Sequence, residues 1–398
     1  MKTLISMKRF AMIASAGLCI ATSAYAAVTP VTVKEAVNMS WRSVTLLNQV
    51  TGANESIPMW TFSSTTGSRS GSYSWGGTRD DGAPFPGPVL VFREADMVEY
   101  TFNDTCPCEW SRPSSHPYAG HTVHLHGLDV NTLDDGVSDT SFSILPGQSY
   151  TYKMATRDAG SFIYHCHIHT VLHQQMGMYG GIIVMPADGD HQNRPFSPKN
   201  DAELPLVPTF SRQYMWVIAE VDKTWHDKAN RGDFGDSTEF AYFTQYNPQH
   251  FFIGNYYIDT STLNTAGGVT PGRGVVKIPK HGLAGKAGDT LLIRLGNLGY
   301  WNKRVSLGGL KFDVVSTDGK PLRNASGALD PKKDQTSVEA GPGERYDLLV
   351  KLPTTAGAYT AKIEFLEPYN KVVGAGGKAI VNQTINVCTN APASANAC

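Results

Sequence analysis

Along the chain the apolar positions fall in short runs rich in Val, Tyr, Thr and Phe, broken by Gly, Pro and Asn. Little of this pattern repeats with the period of a helix, so the elements it predicts are strands, and the fold it predicts is all-β. A chain of 398 residues has length enough for two domains. Two Greek-key β-sandwiches are therefore expected.

The pattern also occurs twice. Asp96-Met-Val-Glu-Tyr-Thr-Phe-Asn103 reads as a strand and is echoed by Asp289-Thr-Leu-Leu-Ile-Arg-Leu-Gly-Asn297. Pro146-Gly-Gln-Ser-Tyr150 is echoed by Pro342-Gly-Glu-Arg-Tyr346. Between them, Val123-His-Leu-His-Gly-Leu128 aligns with Val305-Ser-Leu-Gly-Gly-Leu310, and Ala159–His167 aligns with Ala356–Glu364. Pro-Gly turns recur by accident, but four landmarks in one order argue for a repeat. The polar stretch Asp188-Gly-Asp-His-Gln-Asn-Arg-Pro195 reads as the junction. The expected division is a leader over 1–26, a first domain over 27–187, a linker over 188–207, a second domain over 208–388 and a tail over 389–398.

Composition mostly excludes. Charged residues make up 17%, below the roughly 25% of an average domain, and 34 Lys and Arg nearly balance 35 Asp and Glu. Nothing in that balance suggests nucleic acid or an anionic membrane as a partner. Residues 1–26 carry Lys2, Lys8 and Arg9 before an apolar run, and end in Ala24-Tyr25-Ala26, the form of a secretory signal. No later stretch is long and apolar enough to span a membrane. A periplasmic or secreted location is expected. There, Cys388 and Cys398 would close a short C-terminal bridge, while Cys106-Pro-Cys108 reads as a strained local bridge or as partners of the tail.

The chemistry sits in two clusters, His121-Thr-Val-His124-Leu-His126-Gly127 and His165-Cys166-His167 followed by His173 and Gly177-Met178. Strand residues an even number apart share a face. His124 and His126 then point one way, with His121 roughly the other. His165 and His167 share a face, with Cys166 opposite. Two strands could so build two sites back to back. His121, Cys166, His173 and Met178 form the set of a blue-copper centre, two imidazoles and a thiolate with a weak axial thioether. His124, His126, His165 and His167 form an array of four imidazoles suited to further copper. A lone Cys is often only a small buried side chain. Structural zinc asks for four ligands, whereas seven His and Cys plus a thioether stand here.

These residues, with Pro86-Gly-Pro88, Asp135-Gly136-Val137 and Pro146-Gly147, make the chain resemble a two-domain multicopper oxidase of the cupredoxin superfamily. The resemblance implies type 1 copper at His121, Cys166, His173 and Met178. It implies half of a type 2/type 3 cluster at His124, His126, His165 and His167, and a proton-delivering role for Asp135, which is also an ordinary Asp-Gly turn. Met176 competes with Met178, which lies five residues after His173 as the family has it. The implied reaction is one-electron oxidation of a small-molecule or metal-ion donor, with dioxygen reduced to water. Electrons would enter at the solvent-facing edge of His173.

The second half departs from the family pattern. Ser306 and Gly308 stand where His124 and His126 do, and Lys362, Ile363 and Glu364 where His165, Cys166 and His167 do. Its His226, His250 and His281 form no His-x-His pair. Three outcomes follow. A homo-oligomer could pool two arrays. A copper nitrite reductase-like enzyme could borrow His250 or His281 from a neighbouring subunit, although that family has Asp at His124 and no second His at His167. The third is a non-enzymatic blue protein that carries electrons or binds copper.

Overall fold

The computed structural model describes residues 32–64, 85–104, 120–187, 193–231, 246–259, 275–277 and 282–398. Residues 1–26, expected to be a leader, and Cys106, Cys108, His116, His191 and His281 lie outside the described residues.

Eight strands build the first sandwich: β1 (Thr32–Leu47), β2 (Asn54–Ser64), β3 (Leu90–Arg93), β4 (Met97–Asn103), β5 (His124–His126), β6 (Ser149–Ala155), β7 (Gly160–His165) and β8 (Tyr179–Met185). One sheet runs β2-β1-β4-β6 and the other β3-β8-β7-β5. The second sandwich begins with β9 (Arg212–Val221), β10 (His250–Asp259), β11 (Val275–Lys277), β12 (Leu283–Lys286), β13 (Thr290–Asn297) and β14 (Asn302–Ser306). It continues through β15 (Phe312–Thr317), β16 (Lys320–Pro321), β17 (Lys332–Gln335), β18 (Ser337–Ala340), β19 (Arg345–Lys351), β20 (Gly357–Leu366) and β21 (Ile380–Cys388). Its sheets run β11-β10-β9-β13-β19-β15-β16 and β12-β21-β20-β14-β18.

The two units share a wiring plan. β1 lies parallel to β4 as β9 does to β13, and β3 lies parallel to β8 as β12 does to β21. Even the register agrees. His124 pairs across to His165, and Ser306 pairs across to Lys362. The sequence alignment matches the same two positions to each other.

Each sandwich has its own buried core, and a third apolar cluster joins them. Phe85, Ile163, Ile183 and Met185 meet Met215, Val217, Phe252 and Leu349 in that cluster. A buried polar knot crosses it as well: Arg294 reaches Asp347 at 3.2 Å and donates to Ser161 Oγ of the first sandwich at 3.0 Å. The described part of the junction is no free linker. Phe196 and Val207 are buried in the shared cluster, because apolar side chains punctuate its polar run. At the far end Cys388 is bonded to Cys398. Among the described residues no helix is long and apolar enough to cross a membrane.

Candidate metal centre

β7 is buried on both faces, and its alternation sorts the chemistry. Phe162 and Tyr164 turn into the core of the first sandwich, and Cys166, two residues on, joins them there. Ile163 turns toward the second sandwich, and His165 follows on that side. On the neighbouring strand β5, Leu125 enters the first core while His124 and His126 face away from it. Two groups of ligand atoms result, one on each side of one sheet.

The core-side group is His121, Cys166 and His173. Cys166 Sγ lies 3.2 Å from His173 Nδ1 and 3.7 Å from His121 Nδ1, and the two Nδ1 atoms are 3.2 Å apart. His173 comes from a short helix, α1 (Thr170–Gln175), not from a strand. His121 is held by a bridge to Ile144. Met178 is buried in the same cluster; its N–H donates to the His173 carbonyl and its own carbonyl accepts from Cys166 N–H. Met176, equally buried, has its carbonyl tied to Trp60 N–H instead.

The edge of His173 expected to face solvent is covered. His173 is 4% exposed, and the Trp60 ring packs edge-on at 5.4 Å. The α1 helix is itself docked on the second sandwich, where Gln174 donates to the Leu298 carbonyl. Sequence spacing carries no sign of that docking. Burial, with His121 adding to it, holds the His173 imidazole well below its usual range.

The outer group is His124, His126 and His165, whose ligand atoms all lie within 4.8 Å of one another. Each ring has a reason to point as it does. His124 Nδ1 donates to the Asp135 carbonyl at 2.7 Å, with the Asp135 carboxylate at 3.3 Å, which turns Nε2 toward the array. His165 Nδ1 donates to the Cys166 carbonyl at 3.0 Å, leaving Nε2 at 3.4 Å from His126 Nδ1. Burial pushes His165 down to about 3, and burial with the nearby Arg345 pushes His126 down to about 4. Neutral imidazoles are the form that binds metal.

His167 stands slightly apart. β7 ends at His165, so strict alternation lapses two residues later. The His167 ring still stacks 5.7 Å from His165 and lies 5.1 Å from His124, and the backbone N–H of His167 donates to Thr122 Oγ1. His169 is half-buried beside His173, at 6.0 Å between rings.

The loop carrying Asp135 is strongly specified. Asn131 Oδ1 accepts from the N–H groups of Leu133 and Asp134 and so caps a single turn over Thr132–Asp134. Gly136 then turns with φ +70°, where a Cβ would sit 2.1 Å from the Val123 carbonyl oxygen. Only glycine lets the loop lie so close to β5.

His226 and His250 are core histidines. His226 donates to the Pro58 carbonyl at 2.6 Å, and His250 lies 3.3 Å from Glu55. His250 is wholly buried inside its own subunit, which removes it as a ligand lent to a neighbour. Sequence reasoning passed over Trp60, Thr122 and Arg345. Arg345 stood in plain view in the Pro342-Gly-Glu-Arg-Tyr346 landmark, but only tertiary packing brings it to the array.

The donors fit copper. A cysteine sulfur and two imidazoles converge in an apolar core, and further imidazoles cluster on the other side of the sheet. Comparison with known proteins agrees. Multicopper oxidase family profiles match residues 83–189 and 232–383. Laccase-3 of Botryotinia fuckeliana is 25% identical over 283 residues, covering 70% of this chain and 50% of the laccase. The chain spans half or less of the length of the curated relatives it matches. The blue copper oxidase of Nitrosomonas europaea superposes with a TM-score of 0.54 at 19% identity, over 89% of this chain and 86% of that one. The copper nitrite reductase of the same organism superposes at 0.53 and 19%, over 92% and 97%. At such identity these two likenesses speak for the fold alone.

Proposed function

The chain belongs to the multicopper oxidase family, and from that premise we propose that it oxidises a small-molecule or metal-ion donor one electron at a time and reduces dioxygen to water. The observation that carries this reading is the back-to-back placement of the two groups. Cys166 sits between His165 and His167 in sequence, so a thiolate site and an imidazole array are joined by a few covalent bonds.

In this reading His121, Cys166 and His173, with Met178 as the weak axial thioether, hold type 1 copper in residues 27–187. His124, His126, His165 and His167 hold half of a type 2/type 3 cluster. Residues 208–388 hold no copper. When bound, copper supplies one-electron transfer at the first site and four-electron reduction of dioxygen at the second.

The chain's own residues do the rest. The apolar core around Cys166 excludes water and fixes the thiolate against both Nδ1 atoms. In this reading Asp135 passes a proton from solvent toward the array, which its partial exposure and its carboxylate 3.3 Å from His124 support, while its carbonyl orients His124. The covered edge of His173 implies that electrons enter through the protein surface over α1 and Trp60, not by donor contact with the imidazole. Four imidazoles are half a cluster, so a second copy facing the array completes it, and the working form is a homo-oligomer. The leader fits export to the periplasm or medium.

One combined measurement tests this: paramagnetic resonance of the copper-loaded chain, its oligomer mass, and oxygen uptake with a phenol, diamine, Cu(I) or Fe(II) donor. A type 1 signal with a type 2 signal, in an oligomer that consumes oxygen, is expected. A blue monomer with no type 2 signal and no uptake means a carrier or copper-binding protein. Nitrite turnover without oxygen uptake means the nitrite reductase-like reading.

A further inference from the structure

One charged side chain borders the imidazole array without belonging to it. Arg345 opens β19 of the second sandwich, and its side chain is only 4% exposed. It reaches the first sandwich directly: a Cβ on Gly127, the residue after His126, would sit 2.4 Å from Arg345 Nη2. Gly343, whose carbonyl accepts from Arg345 Nη1 at 2.7 Å, lies against the same imidazole, its absent Cβ 3.2 Å from His126 Cε1.

Three carboxylates act on the guanidinium: Asp318 at 3.2 Å, the buried Asp347, which is already paired with Arg294, and Glu344. Asp318 is 53% exposed, and a carboxylate open to water cancels little of a neighbour's field. Arg345 Nε is buried with no hydrogen-bond partner. Asp318 is held by local geometry: Asp318 and Gly319 both have positive φ in the two-residue turn from β15 to β16, and Arg345 N–H donates to the Asp318 carboxylate at 3.0 Å. A fixed cation thus stands beside His126, on the side of the array that faces the second sandwich.

We propose that the second sandwich, which supplies no ligand, acts on the array through Arg345, whose guanidinium anchors small inorganic anions there, while Asp318 sets how much of that charge is left over. The inference rests on the array being a copper site. Its chemistry is that of a planar guanidinium toward a compact anion, a hydrogen bond made stronger by charge.

The test is azide binding to the copper-loaded full chain, followed by its charge-transfer absorption and by paramagnetic resonance. Arg345→Gln is expected to weaken azide by about tenfold or more, the loss of one charge-assisted hydrogen bond. Arg345→Lys keeps the charge and should retain most of the affinity. Asp318→Asn is expected to tighten azide, because Asn accepts the positive φ at that turn and removes the opposing charge. An affinity indifferent to Arg345→Gln, at unchanged copper content and melting temperature, overturns the inference alone. If Arg345→Gln does not fold, Asp318→Asn decides, and no tightening there overturns it. An array that takes up no copper in the native chain overturns the functional reading, and this inference with it.

Discussion

The two sandwiches follow one wiring plan and treat the same positions in opposite ways. In the first, the paired strands β5 and β7 carry His124 opposite His165. In the second, β14 and β20 carry Ser306 opposite Lys362, and Lys362 is tied to Glu364 in an ion pair. Three residues before His124 stands the buried His121. Three residues before Ser306 stands Lys303, wholly buried and 2.6 Å from the equally buried Glu220. Where Cys166 enters the core of the first unit, Ile363 enters the core of the second. One unit therefore places candidate metal donors in its interior, and the other places apolar packing and a satisfied charge pair there.

The difference runs into the backbone. β5 continues through His126, whereas β14 stops at Ser306 and the chain turns through Gly308 and Gly309, both at positive φ. A Cβ at Gly308 would lie 2.7 Å from the Thr360 carbonyl oxygen. The counterpart of His126 thus has no room for any side chain.

The sharpest break in the comparison is Cys166→Ser. It should abolish both the intense visible absorption of a thiolate–copper centre and all donor oxidation, while His124→Ala should keep the colour and lose oxygen uptake. Colour surviving in the serine variant would sink the type 1 assignment.

Next in size is the buried pair of the second unit. Lys303→Met strands the Glu220 carboxylate and should cost about 3–5 kcal/mol in equilibrium denaturation, with much of it recovered by adding Glu220→Gln. Glu220 also accepts from the N–H groups of Tyr300 and Trp301, bonds that a glutamine oxygen can keep. Two variants of equal stability would show that the pair does not fill the role given to it.

Gly136→Ala should also destabilise, with about 1–3 kcal/mol from strain at a positive φ and a further cost because its Cβ would push the loop off the Val123 carbonyl. Because the same loop carries Asp135, oxygen uptake should slow while the blue absorption stays. If uptake is unchanged, Asp135 has no part in proton delivery.

The smallest expected change is none. Ser306→His with Lys362→His restores two imidazoles to the second unit, yet copper content by metal analysis should not rise, because Gly308 cannot supply a third. Extra bound copper would mean that the missing side chains, and not the turn, emptied the second site.

Much of this site was legible in one dimension because strand alternation is a local rule. It put Cys166 and His165 on opposite faces, and β7 obeys it. It weakened where the strand ended: His167 lies two residues past the close of β7 and stands apart from the tight group. It was silent on His173, which a helix delivers and Trp60 covers. The polar junction misled for a related reason. Composition averages over a stretch, whereas Phe196 and Val207 are buried one by one.

The sequence by itself determined the all-β class, the repeat, the candidate donors and their sorting onto two faces, since each follows from residue type and a period of two. Only the tertiary structure decided which donors converge, that the edge of His173 is covered, and that Arg345 meets Gly127 beside His126. Those outcomes join residues far apart in the chain. They depend on how two sandwiches bury a common apolar face, and no local pattern records that.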